Sequence, residues 1–166
     1  MKIERIWAMP NKWTFQIKPI KELLERYVGD GTDWVDPFAG SSNLAEYRND
    51  LKTEQPNAIE AIEFLKTFHN ESIFGVLLDP PYSFRQLFKT YRSGSKQLTG
   101  KKIPMTEIND VTSKIIRLGG YCISFGWNTG GLGKKRGFEI EEVLLVPHGG
   151  QHNDTIVTVE KKTGGI

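Results

Sequence analysis

Ile73-Phe74-Gly75-Val76-Leu77-Leu78-Asp79-Pro80-Pro81-Tyr82 sets an uncharged apolar run directly against a carboxylate, two prolines and an aromatic ring. A run of this kind reads as a strand buried on both faces, the pattern of a parallel sheet covered by helices. The first proline biases Asp79 toward extended backbone and the second repeats the constraint, so the Asp79 carboxylate and a proline carbonyl can be held as two nearly coplanar acceptors. Such a pair takes both hydrogens of an exocyclic aromatic amine, and Tyr82 can stack on the ring that carries it. A plain structural turn is the competing reading of the same four residues.

Upstream, Pro19 opens a helix with Ile20, Leu23, Leu24 and Tyr27 on one face, ended by Gly29-Asp30-Gly31. Thr32 to Val35 then runs as a strand into Asp36, Pro37 to Asn43 reads as a tight loop, and Leu44 to Arg48 as a strand closing at Asn49-Asp50. Ala61, Ile62, Leu65 and Phe68 recur at helical spacing, which predicts a helix of about three turns ending near His69-Asn70. Downstream, Ser83 to Thr106 reads mostly as loop, Ile108, Val111, Ile115 and Ile116 mark a helix stopped by Gly119-Gly120, and Tyr121 to Phe125 reads as a strand. Val143 to Val146 and Ile156 to Val159 form a final antiparallel pair joined through Pro147 to Asp154. Strands alternating with helices imply an α/β sandwich, whose ligands lie beyond the carboxyl ends of the strands. That rule puts Asp36, Asp50, Asp79 and the loop after Phe125 on a single rim.

With 166 residues, 38% apolar and 25% charged, the chain fits one globular domain, expected over residues 1–160 with 161–166 as a flexible tail. No apolar run reaches the roughly 18 residues of a bilayer span, and Met1 to Arg5 leads into no signal-like core, so a cytoplasmic protein is expected. Cys122, the single cysteine, sits in the apolar Tyr121 to Phe125 and reads as a core residue. His148 and His152 flank Gly149-Gly150 with no third ligand in view, and His69 reads as part of a helix end, so no metal is expected. The net charge of +2 is unevenly spread: Pro81 to Thr106 holds no acidic residue but carries Arg85, Lys89, Arg92, Lys96, Lys101 and Lys102. Together with Lys134-Lys135-Arg136, that segment has the charge to neutralise a phosphate backbone, ordinary solvated loops being the alternative.

Asp36-Pro37-Phe38-Ala39-Gly40 offers an acidic strand end and a narrow turn in which Gly40 lets backbone approach a ligand. Asp50 suits a ribose hydroxyl pair, with a plain cap as the competing role. Together with Asp79-Pro80-Pro81-Tyr82, these motifs resemble those of S-adenosylmethionine-dependent DNA adenine-N6 methyltransferases, especially small phage-associated ones. Phe15 to Ile20 resembles the segment that in this family precedes the cofactor loop and helps enclose the methionine portion.

The resemblance implies a Rossmann-like methyltransferase sandwich: a mostly parallel mixed sheet with antiparallel C-terminal strands, reduced around the first crossover because too few residues separate Gly40 from Asp50 for a full helix. It implies S-adenosyl-L-methionine as cofactor, with Phe15, Lys18, Asp36, Pro37, Phe38, Ala39 and Gly40 around its methionine end, Asp50 at its ribose and Glu60 at its adenine amine, Glu63 being the local competitor for that last position. Asp79, Pro80 and Tyr82 are the implied catalytic set. DNA is the implied partner, contacted by Pro81, Ser83, Arg85, Lys89, Arg92, Lys96, Lys101 and Lys102, with Trp127 and Asn128 shaping the target pocket. No long segment resembles a target-recognition domain, so a homodimer or a separate recognition partner is an open expectation. RNA, cytosine N4 or a protein glutamine is the alternative acceptor, and a non-catalytic nucleic-acid-binding role the alternative class.

Overall fold

The apolar run of 73–78 is a strand in the computed structural model, which describes residues 1–50, 59–81 and 103–164. It lies within a seven-stranded sheet in the order β1 (Lys2–Arg5), β6 (Phe138–Val146), β7 (Thr155–Lys162), β5 (Ile116–Gly126), β4 (Ile73–Leu78), β2 (Trp34–Asp36), β3 (Tyr47–Arg48). Strand β7 runs antiparallel between β5 and β6, and every other pairing is parallel.

Because successive side chains of a strand point to opposite faces, β4 feeds two apolar layers. Leu77 joins Ile20, Leu23 and Leu24 of α1 (Lys18–Tyr27), together with Trp34, Ile123 and Val157. Val76 and Leu78 face the other way, toward Ile62 and Leu65 of α2 (Ala61–Leu65) and Ile108 and Ile115 of α3 (Met105–Ile115). The result is the Rossmann-like methyltransferase fold, mostly parallel with antiparallel C-terminal strands. Its first crossover, residues 37–46 between β2 and β3, contains no helix. Ala45 and Leu44 instead pack into the apolar layer beneath α1.

Four local expectations are corrected. The strand expected over Leu44 to Arg48 is shorter, because Leu44 and Ala45 pack under α1 and Glu46 N–H bonds the Gly31 carbonyl at 3.1 Å. Gly31, at φ +84°, backs so closely on the Leu44 carbonyl that no side chain fits there. Helix α2 stops at Leu65, since Thr67 and Phe68 bond three residues back rather than four. Phe68 nevertheless keeps the apolar contact its spacing promised, edge-on to Phe64 at 5.4 Å and to Tyr47 at 5.3 Å.

Gly119-Gly120 does not end α3; β5 follows it directly, and the two glycines lie inside the strand beside the register shift between Ile73 and Gly75. Residues 161–164 are not a loose tail. Lys162 is buried in β7 with its ammonium donating to the carbonyls of Ser113 at 3.0 Å and Ile116 at 2.7 Å, where a cation favours the C-terminal end of α3. Thr163 and Gly164 both bond the Gly137 carbonyl.

Candidate functional site

Three carboxylates follow the carboxyl ends of neighbouring parallel strands: Asp36 ends β2, Asp50 comes just after β3 and Asp79 just after β4. The connection between the first two is tied by backbone bonds, Asn49 N–H to the Asp36 carbonyl at 2.9 Å and Ala39 N–H to the Asn49 carbonyl at 3.0 Å. Gly40, at φ +54°, turns its N–H onto Asp50 Oδ2 at 2.9 Å. Sequence reasoning missed Asn49, a buried side chain whose amide donates to the Ile59 carbonyl at 2.9 Å and so anchors this corner toward α2.

Asp36 is 1% exposed. One oxygen accepts the Phe38 N–H at 3.0 Å, and Oδ2 has no partner among the described residues. Burial pushes this carboxyl up to about 8, opposed by the Phe38 hydrogen bond and reinforced by the negative charges of Asp79 and Asp50.

In front of these groups lies a cleft of about 940 Å³. It is lined by the Lys12 to Gln16 segment, by Lys21, Leu24 and Glu25 of α1, and by the loop from Phe38 to Leu44 together with Asp50, Asp79 and Pro81. Phe15 is seated by its ring contact with Phe125 of β5, 5.0 Å between centroids. The structure therefore brings together Phe15, Phe38, Ala39, Gly40, Asp50, Asp79 and Pro81 on one cleft. Asp36 and Pro37 are buried outside the lining, and Pro80 is half-buried.

Lys18 opens α1 and Glu60 precedes α2, both exposed and neither on the cleft wall. Trp127 and Asn128 are exposed just beyond β5, where Asn128 Oδ1 accepts the Gly130 N–H at 2.7 Å. Tyr82, Ser83, Arg85, Lys89, Arg92, Lys96, Lys101 and Lys102 lie outside the described residues. Lys12, Trp13 and the Ser41 to Leu44 stretch are cleft residues that sequence reasoning missed, although Lys12 and Trp13 stand close before the Phe15 motif.

The second basic cluster does not join this rim. Lys134–Arg136 is a short 3-10 turn just before β6, whose first residue pairs with Lys162 at the end of the sheet opposite the carboxyl-end rim, and Arg136 is engaged with Asp110 of α3 at 2.8 Å. His148 is a buried brace whose ring nitrogens meet the Ala8 carbonyl at 2.8 Å and Thr155 Oγ1 at 2.9 Å. Cys122 is buried in the core, where burial and the nearby Glu160 charge push its thiol up. No helix among the described residues is long and apolar enough to cross a membrane.

No protein-family model matches this chain, and no curated protein is similar to it in sequence. Its class is read from the fold: the architecture is that of the S-adenosylmethionine-dependent methyltransferase superfamily, without singling out one family within it.

Proposed function

We propose that the chain transfers a methyl group from S-adenosyl-L-methionine to the exocyclic N6 of adenine in DNA. The observation that carries this reading is the shared cleft: Asp79 and Pro81 line the same cleft as the Phe38 to Gly40 loop and Asp50. An amine-clamping turn and a cofactor loop separated by the length of the sheet could not act on each other.

The residues fit the cofactor. Phe15, Phe38 and Leu24 give the cleft apolar surface, Asp50 on its lining is assigned to the ribose hydroxyls, and Asp36, buried behind the lining with an Oδ2 that has no partner among the described residues, is assigned to the ammonium group. Bound there, S-adenosylmethionine supplies an electrophilic methyl on a sulfonium sulfur. The chain's own work is orientation. The Asp79 carboxylate and the Pro80 carbonyl draw the two amine hydrogens and aim the nitrogen lone pair into the cleft, an alignment effect that needs no strong base. Tyr82 stacks on the extruded base, which recovers about 1–3 kcal/mol of an unstacking cost of roughly a few kcal/mol. Ser83, Arg85, Lys89, Arg92, Lys96, Lys101 and Lys102 supply phosphate contacts, and Trp127 and Asn128 border the target base.

The same acceptor pair suits cytosine N4, an RNA adenine or a glutamine amide, so the decisive experiment leaves the acceptor open. Labelled methyl transfer is measured on DNA, RNA and protein, and the modified nucleoside or residue is identified. N6-methyladenine in DNA is the expected product. Asp79→Asn should cut turnover about 10²- to 10³-fold while cofactor affinity changes only a few-fold. Wild-type turnover in that variant, or label confined to another acceptor, removes the reading.

A further inference from the structure

Strand β1 closes one side of the sheet, and its outer edge has no neighbouring strand among the described residues. The hydrogen bonds from Ile6 N–H to the Leu145 carbonyl and from Ala8 N–H to the Pro147 carbonyl show which residues serve β6: the even-numbered ones. In a parallel ladder the alternate residues turn both backbone groups the other way, so Ile3, Arg5 and Trp7 present their N–H and C=O to the open edge. Within β1, Lys2-Ile3-Glu4-Arg5, the one apolar side chain, Ile3, is 61% exposed, and Met1 and Trp7 just outside the strand are 79% and 59% exposed. Neither a proline nor a bulge blunts β1; what guards it is its four-residue length and the charges of Lys2, Glu4 and Arg5, which any partner strand must match.

We propose that β1 pairs antiparallel with β1 of a second copy of this chain, across a two-fold axis at Ile3, so that the sheet continues from one copy into the other. Charge selects both the occupant and the register. Hydrogen-bonded pairing through the outward residues allows only registers in which odd-numbered residues face odd-numbered ones. Centring on Glu4 sets its carboxylate against its own copy, and centring on Arg5 does the same with two guanidinium groups. Centring on Ile3 sets Lys2 of each copy against Glu4 of the other, in the close non-hydrogen-bonded pairs where opposite charges stabilise a sheet. Within one chain Lys2 already lies 3.0 Å from Glu4, so the four side chains close into an alternating quartet on the α1 side. Ile3 meets Ile3 on the other face, which withdraws apolar surface from water.

Sedimentation equilibrium of the full chain over a wide concentration range tests this. The wild type is expected to show a reversible monomer–dimer equilibrium, and Ile3→Lys, which puts two cations at the axis, to stay monomeric with an unchanged thermal melt. A second variant reads the register. Ile3→Cys places two thiols in a hydrogen-bonded pair about 5.5 Å apart at Cα, within disulfide reach, and should cross-link on mild oxidation, whereas Arg5→Cys should not. The buried Cys122 leaves the native thiol out of that assay. A wild type monomeric at every concentration, an Ile3→Lys protein as dimeric as the wild type, or cross-linking through Arg5→Cys in place of Ile3→Cys overturns the proposal.

Discussion

Asp36 concentrates the chemistry of the rim in one side chain. Its carboxyl is buried, half-bonded and raised from its usual 3.8 to about 8. Below its ordinary value the folded and unfolded chains both hold the proton; between there and about 8 only the folded chain does. Folding stability contributed by this group is therefore fully present in acid and lost as pH rises through that window, with a slope of at most about 1.4 kcal/mol per pH unit. Asp36→Asn keeps the shape and removes the proton. Denaturant melts at pH 5 and pH 8 should differ less in the variant, and an undiminished difference would assign the effect to another group. On the proposed assignment, the same proton must leave before the carboxylate meets an ammonium, so cofactor affinity should rise with pH in the wild type and not in Asp36→Asn. At this scale the sequence was readable where a residue follows a strand: Asp36, Asp50 and Asp79 all reach the rim. It was not readable for Asn49, whose bond to Ile59 depends on how two separate segments are folded together.

Strand β4 was the most legible element because burial on both faces leaves an uninterrupted apolar run, and no other reading of Ile73 to Leu78 satisfies it. What the run does not display is why Gly75 belongs in it. A Cβ there would come within 2.5 Å of the Trp34 indole on the neighbouring strand, so the glycine makes room for the largest fully buried side chain of the core. Gly75→Ala should destabilise the fold by about 1–3 kcal/mol, read from chemical denaturation; a melt indistinguishable from the wild type would mean that Trp34 shifts aside at no cost. Helix α2 shows the opposite error. Ala61, Ile62, Leu65 and Phe68 have helical spacing, yet the backbone tightens after Leu65, because the ring contact of Phe68 with Phe64 can be satisfied from a turn as well as from a helix. Strand β1 left no readable pattern at all: Lys2-Ile3-Glu4-Arg5 is extended because β6 lies beside it.

At the scale of the molecule, alternation of strands and helices was sufficient to give the layered architecture, and the missing helix after Gly40 was legible as a shortage of residues. The last strand was misjudged because Lys161-Lys162 reads as solvated, whereas Lys162 reaches the end of α3 and joins the two structures on that face. Lys162→Met, which leaves the backbone ladder of β7 in place, should therefore lower stability by about 3–6 kcal/mol through loss of two charge-assisted hydrogen bonds in a buried setting, measured as a drop in denaturant midpoint. An unaltered midpoint would show that water caps α3 equally well. The pairing of Lys2 with Glu142 and of Arg5 with Leu145 joins strands 140 positions apart in the sequence. During synthesis at roughly 5–20 residues per second, the opening strand leaves the ribosome many seconds before its partner does. Throughout that interval Ile3, Ile6 and Trp7 have no sheet to join, and their apolar surface stays in water until β6 is made.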